Sequence, residues 1–227
     1  MTKMTRQLKF TLMLAALLLL PLCLQSCLDD DDDDNARKIM PTALVTLKTN
    51  PSDGTFFMQL NDSTTITPTN ITTSPSGKKE VRALVNYDLV KDGGLKARVN
   101  WIDTITTKAM VPNLGLQNDT TYGNDPLEIV NSWETCVEDG YLTLRIRTRF
   151  AGQKRHILNL VPSADGGYDV VLHHNARGEL NGPVADALIA FRLSDLPDTK
   201  GQVVKLTLHW RSYSGPKSTT FNYKTRK

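Results

Sequence analysis

Tyr141-Leu142-Thr143-Leu144-Arg145-Ile146-Arg147-Thr148-Arg149-Phe150 alternates without a break. Leu142, Leu144, Ile146 and Phe150 share one parity; Thr143, Arg145, Arg147 and Arg149 share the other. Successive side chains on a strand point to opposite faces, so this pattern predicts one face on a core and one in water. The flanking sequence repeats the theme. Gly152 opens a turn and His156 to Val161 returns; Ser163 to Gly167 turns again before Tyr168 to His174. Ile189 to Leu193 and Val203 to Trp210 follow, the latter with Val204, Leu206, Leu208 and Trp210 on one parity. Thr219 to Lys224, with Phe221 and Tyr223, closes the chain. Six or seven antiparallel strands, each with one apolar face, predict two packed sheets over residues 127–227. Asp186 to Ala190 fits a helical turn as well as a strand.

Upstream, residues 36–112 hold five shorter runs: Ala43 to Thr49, Thr55 to Leu60, Thr64 to Thr67, Glu80 to Val90 and Leu95 to Ile105. Asn50-Pro51-Ser52-Asp53-Gly54, Asn61-Asp62-Ser63 and Lys91-Asp92-Gly93-Gly94 punctuate them as turns. Five such strands suit a small barrel of the OB type, or one sheet of a sandwich. Residues 113–126 carry no apolar periodicity and read as a linker. The fold class expected is all-β: a small N-terminal OB-like barrel followed by an antiparallel β-sandwich.

The first 26 residues read as a leader. Lys3, Arg6 and Lys9 precede a stretch of 15 residues, Phe10 to Leu24, that is apolar apart from Thr11, where roughly 20 are needed to span a bilayer. Leu24-Gln25-Ser26-Cys27 resembles a bacterial lipobox, which implies cleavage before Cys27 and lipid on its thiol. Asp29, Asp30, Asp31, Asp32, Asp33 and Asp34 follow. Six adjacent like charges repel and bury nothing, so residues 27–35 form a tether. An acidic run there also resembles the surface-export signal of Bacteroidetes lipoproteins, which implies an outer-membrane, lipid-anchored protein facing outward. With Cys27 acylated, Cys136 has no disulfide partner in the mature chain and reads as a small core residue.

Charge adds an exclusion. Three of the 27 lysines and arginines fall in the leader, leaving 24 against 24 acids; without the six tether aspartates the body carries 24 against 18, a net +6. That balance is too weak and scattered to argue for nucleic acid.

Several segments carry a family resemblance: Val99-Asn100-Trp101-Ile102 with Thr106-Thr107-Lys108, Asp139-Gly140-Tyr141-Leu142, Lys154-Arg155-His156-Ile157, Leu172-His173-His174-Asn175-Ala176 and Phe191-Arg192-Leu193. Together with the lipobox and acidic run they resemble the NigD-like lipoproteins of Bacteroidetes. The resemblance implies an N-terminal OB domain and a C-terminal β-sandwich. It carries no catalytic or ligand residues, but its link to a bacteriocin cluster implies, as an alternative function, an immunity or structural lipoprotein.

Candidate chemistry is sparse. His173 and His174 are adjacent on a strand, so they face opposite ways and do not chelate as a pair; one is expected buried and one exposed. His156 or His209 could approach them across strands, but no metal-ligand spacing announces a site. No Gly-x-Ser-x-Gly elbow is present, and Cys136 has no nearby His to activate it. Glu134, Glu138 and Asp139 read as a solvated turn. Of the barrel aromatics Phe56, Phe57, Tyr87 and Trp101, most are expected in the core, since Phe56 and Phe57 take opposite faces. Arg145, Arg147 and Arg149 share one face, and Lys205, His209 and Arg211 share a polar parity on another strand. If those strands are neighbours, one cationic face suited to acidic glycan or phosphate results; the plainer reading is a solvated face that discourages edge association. Asp62-Ser63-Thr64, Asp103-Thr104-Ile105 and Asp119-Thr120-Thr121 resemble the Bacteroidetes O-glycosylation motif, with Ser63 and Thr120 in predicted loops and Thr120 the first choice. The function expected is a non-catalytic binding module for an extracellular glycan, an envelope component or a partner protein, with no cofactor, no metal and no nucleic acid.

Overall fold

A computed structural model describes residues 38–91 and 94–226. The leader, Cys27 and the acidic run lie outside them. No helix among the described residues is long and apolar enough to cross a membrane. Residues 41–227 form one compact unit containing both β domains.

The first domain is a closed barrel. Its strands are β1 (Ala43–Thr49), β2 (Phe56–Gln59), β3 (Thr65–Pro68), β4 (Val81–Leu89) and β5 (Lys96–Thr104). They run around the barrel in the order β1-β2-β3-β5-β4, with β4 returning to β1 and a parallel β3–β5 contact. This is the five-stranded OB barrel that the turn spacing suggested. A bulge at Asn86/Tyr87 breaks the β4–β5 register, and bulges bend a strand toward closure. Alternation sends Val45, Leu47, Met58, Ile66, Ala83, Val85, Ala97 and Val99 inside. Phe56 joins that core, and Tyr87 packs against it half-buried.

The second domain begins earlier than expected. Thr106–Ala109 (β6) pairs with the sandwich, so the barrel ends at Ile105. One sheet orders β6, β12 (Val184–Arg192), β9 (Tyr141–Arg149) and β7 (Glu128–Ile129), with β8 (Cys136–Glu138) also on β9. The other orders β10 (Ile157–Pro162), β11 (Asp169–Asn175), β13 (Val204–Ser212) and β14 (Gly215–Tyr223). Leu142, Leu144, Ile146, Leu160, Leu172, Phe191, Leu206, Leu208 and Trp210 fill the space between them.

Three expectations are corrected. The sandwich is mixed: β11–β13 and β12–β6 are parallel. The cause is crossover, since β12 lies in the opposite sheet between β11 and β13, and β6 arrives from the barrel. Val184–Arg192 is wholly strand, which removes the helical option for Asp186 to Ala190. Residues 113–126 are not a spacer between domains. They hold a 3₁₀ turn, Gly115–Gln117, and a short helix α1, Asn118–Tyr122, and α1 packs on β10 and β11.

The domains meet through polar and apolar groups. Arg82 of β4 is fully buried. Its Nη1 donates to Thr46 Oγ1 at 3.0 Å and its Nε to Thr143 Oγ1 at 3.3 Å. Its Nη2 reaches Glu138 Oε2 at 3.4 Å. Leu44, Ile105 and Ala190 form a small cluster beside it, with Leu84, Cys136 and Leu188. Asp139, expected on a solvated turn, is 2% exposed and paired with Lys48 Nζ at 2.8 Å. Glu134 is buried too, and Glu138 is drawn to Arg82. A barrel laid over the hairpin therefore converts an apparent surface turn into an interface.

Candidate binding cleft

Strand β9 leaves its sheet at Phe150, and the chain crosses to β10 in the other sheet. The sequence had suggested a simple return hairpin. The corner instead brings Phe150 over His156, ring centroids 5.2 Å apart and edge-on. Glu179 pins the corner loop: its carboxylate accepts from the backbone N–H of Lys154 at 2.6 Å, of Ala151, and of Gln153 at 3.4 Å. Burial opposes the charge on Glu179, but those N–H groups outweigh it and hold the carboxyl below its ordinary value. Gly182 seats against the same loop. A Cβ there would meet Ala151 N and Phe150 C at 2.3 Å, so only glycine fits.

Behind this corner the two sheets part. Antiparallel partners share a face, so Ala187 opposite Ile146, and Ala185 opposite Thr148, point inward with the core. Farther along β12 the inward positions hold Ile189 and Phe191, both buried. Two alanines where large residues sit elsewhere leave room, and Ala187 is exposed although it faces inward. The result is a cavity of about 630 Å³ walled by Ile146, Thr148, Phe150, His156, Leu158, Ala185, Ala187 and Ile189. Among the described residues, the Val184–Leu188 part of β12 has no strand neighbour on its outer edge, because β6 pairs only from Ile189. Lys108 closes one end, its Nζ donating to Leu158 O and to Asn159 Oδ1 at 2.8 Å. Burial, and then the charge of Arg155, hold the Lys108 ammonium below its usual value. Arg155 and Arg177 also line the cavity.

The histidines sit differently from the expectation. Both members of the pair are buried, His173 at 6% and His174 at 1% exposure. His173 lies on the outer side of β11, but α1 covers it and Gly123 O is 2.9 Å from its Nδ1. A Cβ on Gly123 would lie 2.5 Å from His174 O, so that close approach requires glycine. His174 faces inward, with its Nε2 3.0 Å from His156 Nδ1. Among the described residues, His156 Nε2 and His174 Nδ1 are buried without a hydrogen-bond partner. Burial, and then His156, keep His174 below the ordinary histidine value. Among the described residues no three His, Cys, Asp or Glu side chains gather as metal ligands.

The two basic rows are not neighbours, so the condition for one cationic face is not met. Arg145, Arg147 and Arg149 lie on the outer face of the β9 sheet. Lys205, His209 and Arg211 lie on the outer face of the β13 sheet, on the far side of the core. The arginines are also partly neutralised. Asp186, directly opposite Arg147 in register, takes Arg147 Nε at 2.6 Å and Arg145 Nη2 at 2.8 Å. Arg147, with burial opposing and Arg145 adding, holds the Asp186 carboxyl at about 2. Arg149 donates to Gly182 O at 3.3 Å. On the other sheet Lys205 reaches Asn222 at 2.7 Å, His209 lies 3.4 Å from Asp169, and Arg211 donates to Asn124 O.

The remaining sites fall out as follows. Ser63 is exposed in the β2–β3 turn, its hydroxyl on Asn61 Oδ1. Thr104 ends β5 and is exposed. Thr120 is exposed on α1 rather than in a loop. Burial, and then Glu138, push the Cys136 thiol up to about 11, which leaves it a weak nucleophile.

Residues 44–105 match the NigD-like N-terminal OB domain, and residues 109–223 match the NigD-like C-terminal β-sandwich domain. No curated protein sequence matches the chain. Among solved structures, a protein described as toxin-related from Parabacteroides distasonis is 30% identical with a TM-score of 0.70, over 80% of this chain and 92% of that one. A NigD-like immunity protein from Bacteroides caccae is 19% identical with a TM-score of 0.60, over 80% of this chain and 96% of that one. A protein described as a lipoprotein from Bacteroides fragilis is 16% identical with a TM-score of 0.56, over 81% and 98%.

Proposed function

The chain belongs to the NigD-like family, and from that premise we propose that it is a lipid-anchored envelope protein, facing outward from the outer membrane, that works as a non-catalytic binding module. The observation that carries the binding role is the cleft between the sandwich sheets. Its volume falls in the range of small-molecule sites, roughly 300–1,000 Å³. Apolar walls with a few cations at the margin hold a ligand by burial and charge, and do not themselves supply a nucleophile and base in contact. The lipobox ending at Cys27 and the acidic run Asp29–Asp34 support the anchoring and outward-facing parts.

Two measurements test this. Protease treatment of intact cells, followed by immunodetection, is expected to destroy the protein; a protected signal sinks the outward placement. Envelope extracts are then incubated with a chain of residues 28–227, which holds the whole compact unit, and retained molecules are read by native mass spectrometry. An envelope component retained by this chain and lost from Ala187→Trp, which fills the cleft, supports the binding role. Retention unchanged by that substitution removes the cleft from the function.

A second reading, an immunity lipoprotein shielding the cell from a bacteriocin, draws on the toxin-related description of the 30%-identical relative. Deleting the gene and finding bacteriocin sensitivity unchanged would exclude it.

A further inference from the structure

Resting on the binding reading above, we propose that the sandwich cleft takes a free single-chain amphipathic acid, its apolar body on Ile146, Ala185 and Ala187 and its anionic head between Lys108 and Arg155. Three observations converge. The first is space with apolar walls: two inward alanines of β12 leave about 630 Å³ open beside Ile146 and Leu158. Transfer of methylenes from water into such a place is favourable, so an alkyl body is the natural occupant.

The second observation is charge. Lys108 faces inward, opposite Phe191 in register, and two of its three N–H groups are used by Leu158 O and Asn159 Oδ1. The third remains for a ligand. Among the described residues, neither the Arg155 nor the Arg177 guanidinium has a hydrogen-bond or ion-pair partner. The carboxylate that lines the same cavity, Asp186, is already engaged by Arg145 and Arg147. The net offer to a ligand is therefore cationic, and a half-buried ammonium near a guanidinium gains from an anion between them.

The third observation is an orphaned polar atom. His156 lines the cavity, and among the described residues its Nε2 is buried with no hydrogen-bond partner. When His174 donates from Nε2 to His156 Nδ1, the proton of neutral His156 sits on that Nε2 and is a donor to an acid's oxygen. An unsatisfied buried polar atom is costly; this Nε2 is buried, so a ligand oxygen relieves that cost once the ring turns it toward the cavity.

The test is calorimetric titration of the chain of residues 28–227 with dodecanoate, with dodecyl maltoside and with acetate. Dodecanoate is expected to bind once per chain; the neutral-headed maltoside is expected about tenfold weaker, and acetate without saturation. Arg155→Met, at an unpaired side chain, is expected to weaken dodecanoate about tenfold while leaving the melting temperature unchanged. Ala187→Trp is expected to abolish binding. Equal affinity for the maltoside overturns the anionic head. Displacement of dodecanoate by phosphatidylglycerol vesicles overturns the free single-chain ligand. No saturable dodecanoate binding overturns the ligand class. In that event, an extract component still lost from Ala187→Trp leaves the binding module standing; no such component brings both readings down.

Discussion

The barrel and the sandwich use the same alternation of apolar and polar residues, yet one is full and the other is not. In the barrel every strand has two neighbours, and small inward residues such as Ala83 and Ala97 sit in a closed interior at 0% exposure. In the sandwich β12 loses its outer neighbour over Val184–Leu188, and Ala187 opens to solvent while facing the core. A closed sheet has no edge to part, whereas two stacked sheets can separate along one side. An OB barrel often supplies the binding face of a protein. Here a wall of that barrel is spent on the sandwich, through Arg82 and the cluster of Leu44 and Ile105, and the open space lies in the partner domain.

That contrast can be broken first at the seam. Arg82→Ala leaves a cavity and strands the hydroxyls of Thr46 and Thr143. It is expected to cost about 3 kcal/mol in urea unfolding, with Arg82→Met costing less because volume is kept. A loss under 1 kcal/mol would mean the domains do not depend on this side chain. Next, matched insertions compare the interiors directly. Ala83→Leu overfills the barrel and is expected to cost about 1–3 kcal/mol. Ala187→Leu, projecting into the cleft, is expected to change stability by no more than about 0.5 kcal/mol. Equal penalties would show that the cleft is filled in solution.

The corner loop gives a smaller effect. Glu179→Gln removes the charge that accepts from Lys154, Ala151 and Gln153. It should cost about 1–2 kcal/mol and speed amide exchange across residues 151–154. The histidine pair makes the open end sensitive to acid. His174 is held below 6.5, so the unfolded chain takes up its proton before the folded one does. Stability is whole above that value and declines as pH falls through the window beneath it. Melts at about pH 7.5 and about pH 5.5 are expected to show that decline, and His174→Gln to flatten it. The smallest effect belongs to the arginine row. Arg147→Ala breaks an exposed pair with Asp186 and is expected to leave the urea midpoint almost unchanged.

The alternating segment Tyr141 to Phe150 was enough to place an apolar face of β9 on a core. Five short runs between turns were enough to suggest the barrel, because turn residues and period-two patterning are local properties of the chain. Even so, the sequence left the cationic rows conditional on which strands are neighbours, since a row on one strand says nothing of what lies across from it. Asp186 is 39 residues from Arg147 and meets it only through register.

The sequence by itself determined strand content, the small apolar-faced units, the leader-like start and the family resemblance. Each of these is written in neighbouring residues. Only tertiary structure decided that Arg82 and Asp139 are buried, that His156 meets His174, that β6 serves the second domain, and that two alanines on β12 open a cleft. Those outcomes depend on which sheet a strand joins and where a sheet runs out of neighbours. Both are set by packing between distant segments, which alternation along the chain does not encode.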